Sequence, residues 1–97
     1  MSARWLIAGL GNPGPKYDRT RHNAGFWFIE RLAERVHAPL KAEKKLHGRA
    51  VKTRIDGADA VLLAPETFMN HSGQALRAAV DFYRIDPDHV LVAYDDL

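Results

Sequence analysis

Short apolar stretches of strand length alternate with segments of helical periodicity along this chain, and that order constrains its fold more than any other feature. Four stretches have the composition of strands, either as apolar runs or as apolar residues alternating with cations. An Asp56-Gly57 pair, a strong hairpin signal, separates the second stretch from the third. In chain order the predicted strands are Arg4–Gly9 and residues 46–55, 60–64 and 90–94.

Two segments between these strands repeat apolar residues at helical spacing. The first predicted helix runs over residues 23–37 and ends before Pro39, and the second runs over Ser72–Tyr83. Residues 41–45 are polar and basic and are predicted to form a connection. The predicted buried face of the first helix is Gly25, Phe28, Ile29, Leu32, Ala33 and Val36, and that of the second is Leu76, Ala79, Val80 and Tyr83.

The resulting order, β-α-β-β-α-β, predicts an α/β domain whose first and last strands are parallel neighbours in the middle of its sheet. The 97 residues suit a single domain, residues 1–97, and contain no cysteine. A disulfide framework and a cysteine nucleophile are therefore excluded. No apolar run approaches the ~20 residues of a membrane span, and the first residues do not resemble a signal peptide, so we expect a cytoplasmic protein. Because the sequence stops directly after a predicted strand, we expect it to be the N-terminal portion of a longer α/β domain.

Charge is distributed unevenly along the chain. Residues 1–54 contain twelve basic and four acidic side chains, whereas residues 55–97 contain two basic and eight acidic ones. Such asymmetry favours a basic face that meets a polyanion, although an uneven surface without function remains an alternative.

The glycine-rich segment Gly9-Leu10-Gly11-Asn12-Pro13-Gly14 has the spacing of a dinucleotide-binding loop. In such loops the helix opens within the motif, so that its amides meet the pyrophosphate. Here prolines remove amide donors, and the predicted helix begins well after the motif. We therefore interpret the segment as a structural turn.

His22 and Asp95 are candidates for a general-base pair. Residues 9–17 and Asp95 follow the carboxyl ends of predicted strands, where open α/β sheets form their ligand crevices. A carboxylate that accepts the imidazole N–H fixes its tautomer and stabilises the imidazolium after it takes a proton from water. An ordinary histidine at a helix start and a solvated strand terminus remain the alternatives.

The loop that enters the second helix contains Phe68, Met69 and Asn70. An aromatic ring, a thioether and an amide beside helix-start N–H groups suit a carbonyl and a stacked or apolar group. The alternative is structural, with Phe68 and Met69 in the core and Ser72 as the N-cap. Neither a serine nucleophile elbow nor a metal-ligand spacing is present, so a metal site is not expected.

Three stretches are specific when they are taken together: Gly9-Leu10-Gly11-Asn12-Pro13-Gly14-Pro15-Lys16-Tyr17, Thr20-Arg21-His22-Asn23-Ala24-Gly25 and Thr67-Phe68-Met69-Asn70-His71-Ser72-Gly73. They closely resemble the signatures of the bacterial peptidyl-tRNA hydrolase family. The resemblance implies a mixed sheet flanked by helices, and cleavage of the ester between a peptide and the 3′ ribose of tRNA by a cytoplasmic monomer without metal or cofactor. Tyr94 departs from the family, since many members have histidine there.

Carried over by motif, the resemblance makes His22 the general base, Asp95 the residue that holds it, and Asn12 the residue that distinguishes N-blocked from free aminoacyl-tRNA. It makes Tyr17, Phe68 and Asn70 contacts of the tRNA or peptide, with Met69 lining the same groove. From the uneven charge distribution we expect basic residues to contact the tRNA backbone, namely Lys16, Arg19, Arg21 and the cations of residues 41–54.

The family's glycine-rich segment, a further substrate-binding asparagine and its lid lie beyond Leu97. We therefore expect the 97 residues alone to be weakly active and to self-associate. An organellar branch assists RNA splicing without hydrolysis, so an RNA-binding module is the alternative function.

Overall fold

The computed structural model describes residues 4–11, 24–66 and 72–94. These residues form five strands and two helices, with short 3₁₀ turns at Lys44–Leu46 and Pro87–His89. The strands are β1 (Arg4–Gly9), β2 (Lys41–Glu43), β3 (Gly48–Ile55), β4 (Ala58–Pro65) and β5 (Val90–Ala93), and the helices are α1 (Ala24–Arg35) and α2 (Ser72–Tyr83).

The five strands form one mixed sheet in the order β2-β3-β4-β1-β5. β1 is parallel to both β4 and β5, whereas β3 is antiparallel to β4 and to β2. The predicted α/β class and the parallel pairing of the first and last strands are confirmed. The predicted position of the last strand in the middle of the sheet was wrong for the described residues. β5 lies at the edge of the described sheet, and β1 lies between it and β4.

The two helices cover opposite faces of the sheet, and β4 is apolar on both of these faces. Six consecutive residues of β4, from Ala60 onward, are buried, which is the pattern of a strand enclosed on both sides. Val61 and Leu63 belong to the core under α2, whereas Leu62 and Ala64 belong to the core under α1.

Residues 41–45 do not form the simple connection that their polarity predicted. Residues 41–43 pair with β3 as the short strand β2, and residues 44–46 form a 3₁₀ turn. A short charged strand is common at a sheet edge because it discourages pairing with other chains. β3 begins at Gly48 rather than at Leu46, which is buried in the turn, and the left-handed conformation of His47 (φ 55°) separates the two.

Helix α1 ends at Arg35, before the proline as predicted, and its buried stripe differs from the prediction. Phe26 lies in the core, whereas Phe28 is 47% exposed. The core stripe passes through Phe26, Ile29 and Ala33, and Phe28 precedes Ile29 by one residue, about 100° around the helix. Ala79 of α2 is buried as predicted, with Leu76, Val80 and Tyr83 packed against the same core. Within the described residues, neither helix is long and apolar enough to span a membrane.

Candidate active site

Three parallel strands end at the same edge of the sheet, which we call the carboxyl edge. β1 ends at Gly9, which lies beside Ala93 at the end of β5, and β4 ends at Pro65 on the other side of β1. Residues 12–23, 67–71 and 95–97 follow these strand ends in the sequence. Open α/β sheets bind ligands at this type of edge.

The site residues predicted from the sequence lie outside the described residues. The structure describes residues that adjoin these segments in the chain but not these residues themselves, so their roles remain predictions. This applies to His22, Asp95 and Asn12, to Tyr17, Phe68, Met69 and Asn70, and to Lys16, Arg19 and Arg21.

The first turn of α1 is in backbone contact with the carboxyl edge. Gly25 is packed so closely that a Cβ there would lie 2.5 Å from the backbone nitrogen of Leu10 and would also collide with the carbonyl oxygens of Leu10 and Ala93. The backbone N–H of Leu10 donates to the carbonyl of Ala93 at 2.8 Å, which joins the ends of β1 and β5. A glycine at residue 25 therefore allows a helix start, β1 and β5 to meet at one point.

The first turn of α2 lies in the core beside the same sheet. Ser72 is only 2% exposed, and its hydroxyl has no hydrogen-bond partner among the described residues. An N-cap serine accepts a hydrogen bond from an N–H of the first turn. The interpretation of Ser72 as an N-cap was therefore wrong, because the helix begins at Ser72 itself and its hydroxyl caps nothing.

Arg49 joins three elements near the carboxyl edge. Its guanidinium lies 3.6 Å from a carboxylate oxygen of Glu30 on α1 and 3.7 Å from one of Glu66, which follows β4. The backbone N–H of Glu66 donates to the carbonyl of His47 at 2.8 Å and holds the end of β4 against the start of β3. Spacing along the chain does not indicate these contacts, since the three charged residues come from three elements. Because two carboxylates share Arg49, it is poorly suited to a tRNA phosphate.

A cavity of about 540 Å³ lies beside this junction, at the β2 side of the carboxyl edge. The residues that line it include two carboxylates, a lysine and a histidine: Ala42, Glu43, Lys44, His47, Gly48 and Glu66. Among the residues that the structure describes, no three His, Asp or Glu side chains are grouped as metal ligands.

The family profile described as "Peptidyl-tRNA hydrolase" matches residues 6–97. The chain belongs to the peptidyl-tRNA hydrolase family. The peptidyl-tRNA hydrolase of Alteromonas mediterranea is 58% identical over 92 residues, which cover 95% of this chain and 48% of that protein. That of Acinetobacter baylyi is 52% identical over 97 residues, all of this chain and 50% of that protein.

A solved structure of peptidyl-tRNA hydrolase from Acinetobacter baumannii superposes on this chain with a TM-score of 0.92 at 49% identity. The match covers 100% of this chain and 50% of that one. The chain thus spans about half the length of the relatives it matches. These matches confirm the resemblance found in the motifs and the α/β fold predicted from the order of strands and helices.

Proposed function

We propose that the protein hydrolyses the ester between a peptide and the 3′ ribose of tRNA, with a water molecule activated by His22. Membership of the peptidyl-tRNA hydrolase family supports the reaction. The meeting of three parallel strand ends and a helix start at one edge supports the place where it occurs.

In the proposed reaction, the imidazole of His22 takes a proton from water as the water oxygen attacks the ester carbonyl carbon. Asp95 accepts the other imidazole N–H and stabilises the imidazolium. The side-chain amides of Asn12 and Asn70 are suited to donate to the oxyanion that develops on the carbonyl oxygen. When the tetrahedral intermediate collapses, the ribose 3′ oxygen leaves and takes the proton from His22. The products are a free peptide carboxylate and tRNA with a free 3′ hydroxyl.

The packing of Gly25 supports the pairing of His22 with Asp95. His22 precedes Gly25 by three residues in the sequence, and Asp95 follows Ala93 by two. Consecutive Cα atoms are about 3.8 Å apart. The backbone contact between Gly25 and Ala93 therefore supports the proposal that the two side chains act on one substrate.

The other predicted residues receive roles that match their chemistry. A side-chain amide neither gains nor loses a proton near neutral pH. Asn12 is therefore proposed to select N-blocked substrates rather than to transfer a proton. Tyr17 and Phe68 offer aromatic faces on which bases or peptide side chains stack, and Met69 offers an adaptable apolar surface. Lys16, Arg19 and Arg21 are proposed to contact tRNA phosphates. The protein is proposed to act in the cytoplasm as a monomer, and the mechanism uses neither a metal nor a cofactor.

Turnover of two substrates by the full-length protein tests this proposal. We expect N-acylated aminoacyl-tRNA to be hydrolysed and the matched free aminoacyl-tRNA to be left largely intact. An RNA-binding module, the alternative, would bind both RNAs and hydrolyse neither. Binding without release of free tRNA would therefore contradict the proposal.

A further inference from the structure

The cations of the described strands are sorted by face. Side chains alternate between the two faces of a strand, and Ala50 of β3 lies in the core under α2. Lys52 and Arg54 follow Ala50 at intervals of two and lie on the α2 side. Arg49 lies on the α1 side, where Glu30 and Glu66 pair with it.

Two further cations extend the α2 side. Lys41 of β2 pairs with Ala50 of β3, so that Lys52 is its diagonal neighbour, about 7 Å away. Arg4 lies on the same side of β1 as Leu6 and Ala8, because the three residues are spaced two apart and the last two lie in the core under α2. Four of the five cations in the described strands therefore share one side, and we call them the basic face: Arg4, Lys41, Lys52 and Arg54.

Two guanidinium groups of the basic face are held in place by the fold. Arg4 donates to the carbonyl of Tyr83 at the end of α2 (3.2 Å), and Arg54 donates to the carbonyl of Gly57 in the hairpin turn (2.7 Å). Asp59 lies between them in register, and its carboxylate is 3.7 Å from Arg54. Each guanidinium has five N–H donors, so these contacts orient it and leave donors free. Orientation before binding lowers the entropic cost of capturing an anion.

The end of the basic face is concave. A cavity of about 280 Å³ is lined by Arg4, Lys52, Thr53, Arg54, Asp59 and Ala60. Asp59 is the carboxylate in that lining, and Glu43 lies on the same side of β2, opposite Gly48. The four cations exceed these two carboxylates, and every residue that lines the cavity except Ala60 has a charged or polar side chain. Its chemistry suits phosphate oxygens rather than an apolar peptide segment.

We propose that the basic face binds backbone phosphates of the tRNA, at a distance from the ester that is cleaved. This inference rests on the proposed function, in which tRNA is part of the substrate. Asp59 and Ala64 are five residues apart on β4, which places the cavity about 17 Å from the carboxyl edge. Phosphates held there belong to nucleotides beyond the terminal one. The basic face therefore recognises the body of the tRNA, while the carboxyl edge recognises the acylated end.

Neutralising the two exposed lysines tests the basic face in the full-length protein. Neither Lys41 nor Lys52 forms an ion pair with another described residue, so Lys41→Gln with Lys52→Gln is expected to leave the fold intact. The matched control, Arg31→Gln with Arg35→Gln, removes the same charge from the exposed side of α1, on the other side of the sheet. Thermal unfolding verifies the fold of both variants.

The readouts are binding of deacylated tRNA across salt concentrations and hydrolysis of an N-acylaminoacyl ester of adenosine, which lacks the tRNA body. We expect the lysine variant to bind tRNA about tenfold more weakly, with a salt dependence shallower by about 1.4 to 1.8 in log–log slope. Hydrolysis of the adenosine ester is expected to stay unchanged, and the control variant to behave as the wild type.

Two results would overturn the inference. The first is unchanged tRNA affinity in the lysine variant, and the second is an equal loss in the control, which would mean that net charge alone matters. Failure of the proposed function gives a different result, since a wild type that binds tRNA through these lysines but hydrolyses neither substrate would disprove the reaction and support the basic face.

Discussion

Replacing Gly25 with alanine is expected to separate the start of α1 from the ends of β1 and β5. The new Cβ would lie 2.5 Å from the backbone nitrogen of Leu10, whereas an ordinary contact needs at least 3.4 Å. It would also meet the carbonyl oxygens of Leu10 and Ala93. Since all three atoms belong to the backbone, no side chain can rotate away, and the helix start must move by about 1 Å.

A displacement of this size has two measurable consequences. Forcing an extra carbon into a packed contact costs about 1–3 kcal/mol of unfolding free energy. Misplacing a catalytic group by about 1 Å costs roughly 10²-fold in turnover, and His22 is three residues before Gly25. We therefore expect Gly25→Ala to lose both stability and peptidyl-tRNA hydrolysis.

Denaturant unfolding and steady-state turnover of the full-length protein measure the two losses. Gly73→Ala is the control for stability, because Gly73 lies in the first turn of α2 and a Cβ there would meet no atom within 4 Å. Alanine at that helical position is expected to raise the unfolding free energy by up to about 1 kcal/mol. Wild-type stability and turnover in Gly25→Ala would refute the reasoning.

Three further predictions concern single side chains. Asp95→Asn is expected to lower turnover by about 10²-fold or more and to shift the pH–rate profile, because an amide cannot stabilise the imidazolium; an unchanged profile would exclude Asp95 as the partner of His22. Asn12→Asp is expected to alter the preference for N-blocked over free aminoacyl-tRNA more than the pH optimum, and equal losses on both substrates would contradict that role. Burial raises the pKa of Tyr83 above 10.0, with Glu43 adding to the rise and Arg4 opposing it. Folding thus favours the neutral phenol, and the resulting stabilisation is complete well below pH 10 and is lost as the pH rises through the raised pKa. A phenolate absorption that is absent in Tyr83→Phe and titrates with its midpoint at or below pH 10 would contradict this.

Continuous apolar sequence made the interior of the sheet predictable. The run of residues 60–64 is enclosed on both faces of the sheet, so its side chains are apolar throughout and do not alternate with polar ones. A short and continuous apolar run of this kind is typical of a buried strand. Arg4–Gly9 was predicted with its observed bounds for the same reason. The Asp56-Gly57 turn lies where the hairpin signal placed it, with both residues at positive φ.

Elements at the margin of the sheet were harder to predict. β2 is short and charged, so neither its periodicity nor its hydropathy distinguishes it from a loop, and only its pairing with β3 defines it. β5 is as apolar as a central strand, yet Leu91 in it and Tyr94 directly after it are more than half exposed. Apolar content alone therefore does not tell which strand lies at the edge of the described residues.

The stripe on α1 shows a limit of helical periodicity. Trp27 and Phe28 are as apolar as Phe26, and all three are adjacent. Charged residues follow Trp27 at helical spacing, at 30, 31 and 34, so periodicity leaves Phe26 and Phe28 as candidates for the buried stripe. The contact of Gly25 with the carboxyl edge decides which of the two faces the sheet. Phe26 is buried because the backbone packs closely at Gly25. The sequence gives no sign of this packing except the glycine itself.

The two parts of the candidate site differ in what the sequence reveals. Motifs make Asn12, His22 and Asp95 candidates for the chemistry, because their types and spacing match a known family, and their roles remain predictions. The division of the basic residues needed the sheet register, which separates Arg49 from Lys52 and Arg54 by face. A charge count along the chain does not make that distinction.

Release of free tRNA from an N-acylated aminoacyl-tRNA, compared between the wild type and His22→Ala in the full-length protein, tests the central claim most directly. If His22 activates the attacking water, turnover falls by about 10²–10⁴-fold, while tRNA affinity and thermal unfolding stay at wild-type values. Near-wild-type turnover in the folded variant would show that another group activates the water.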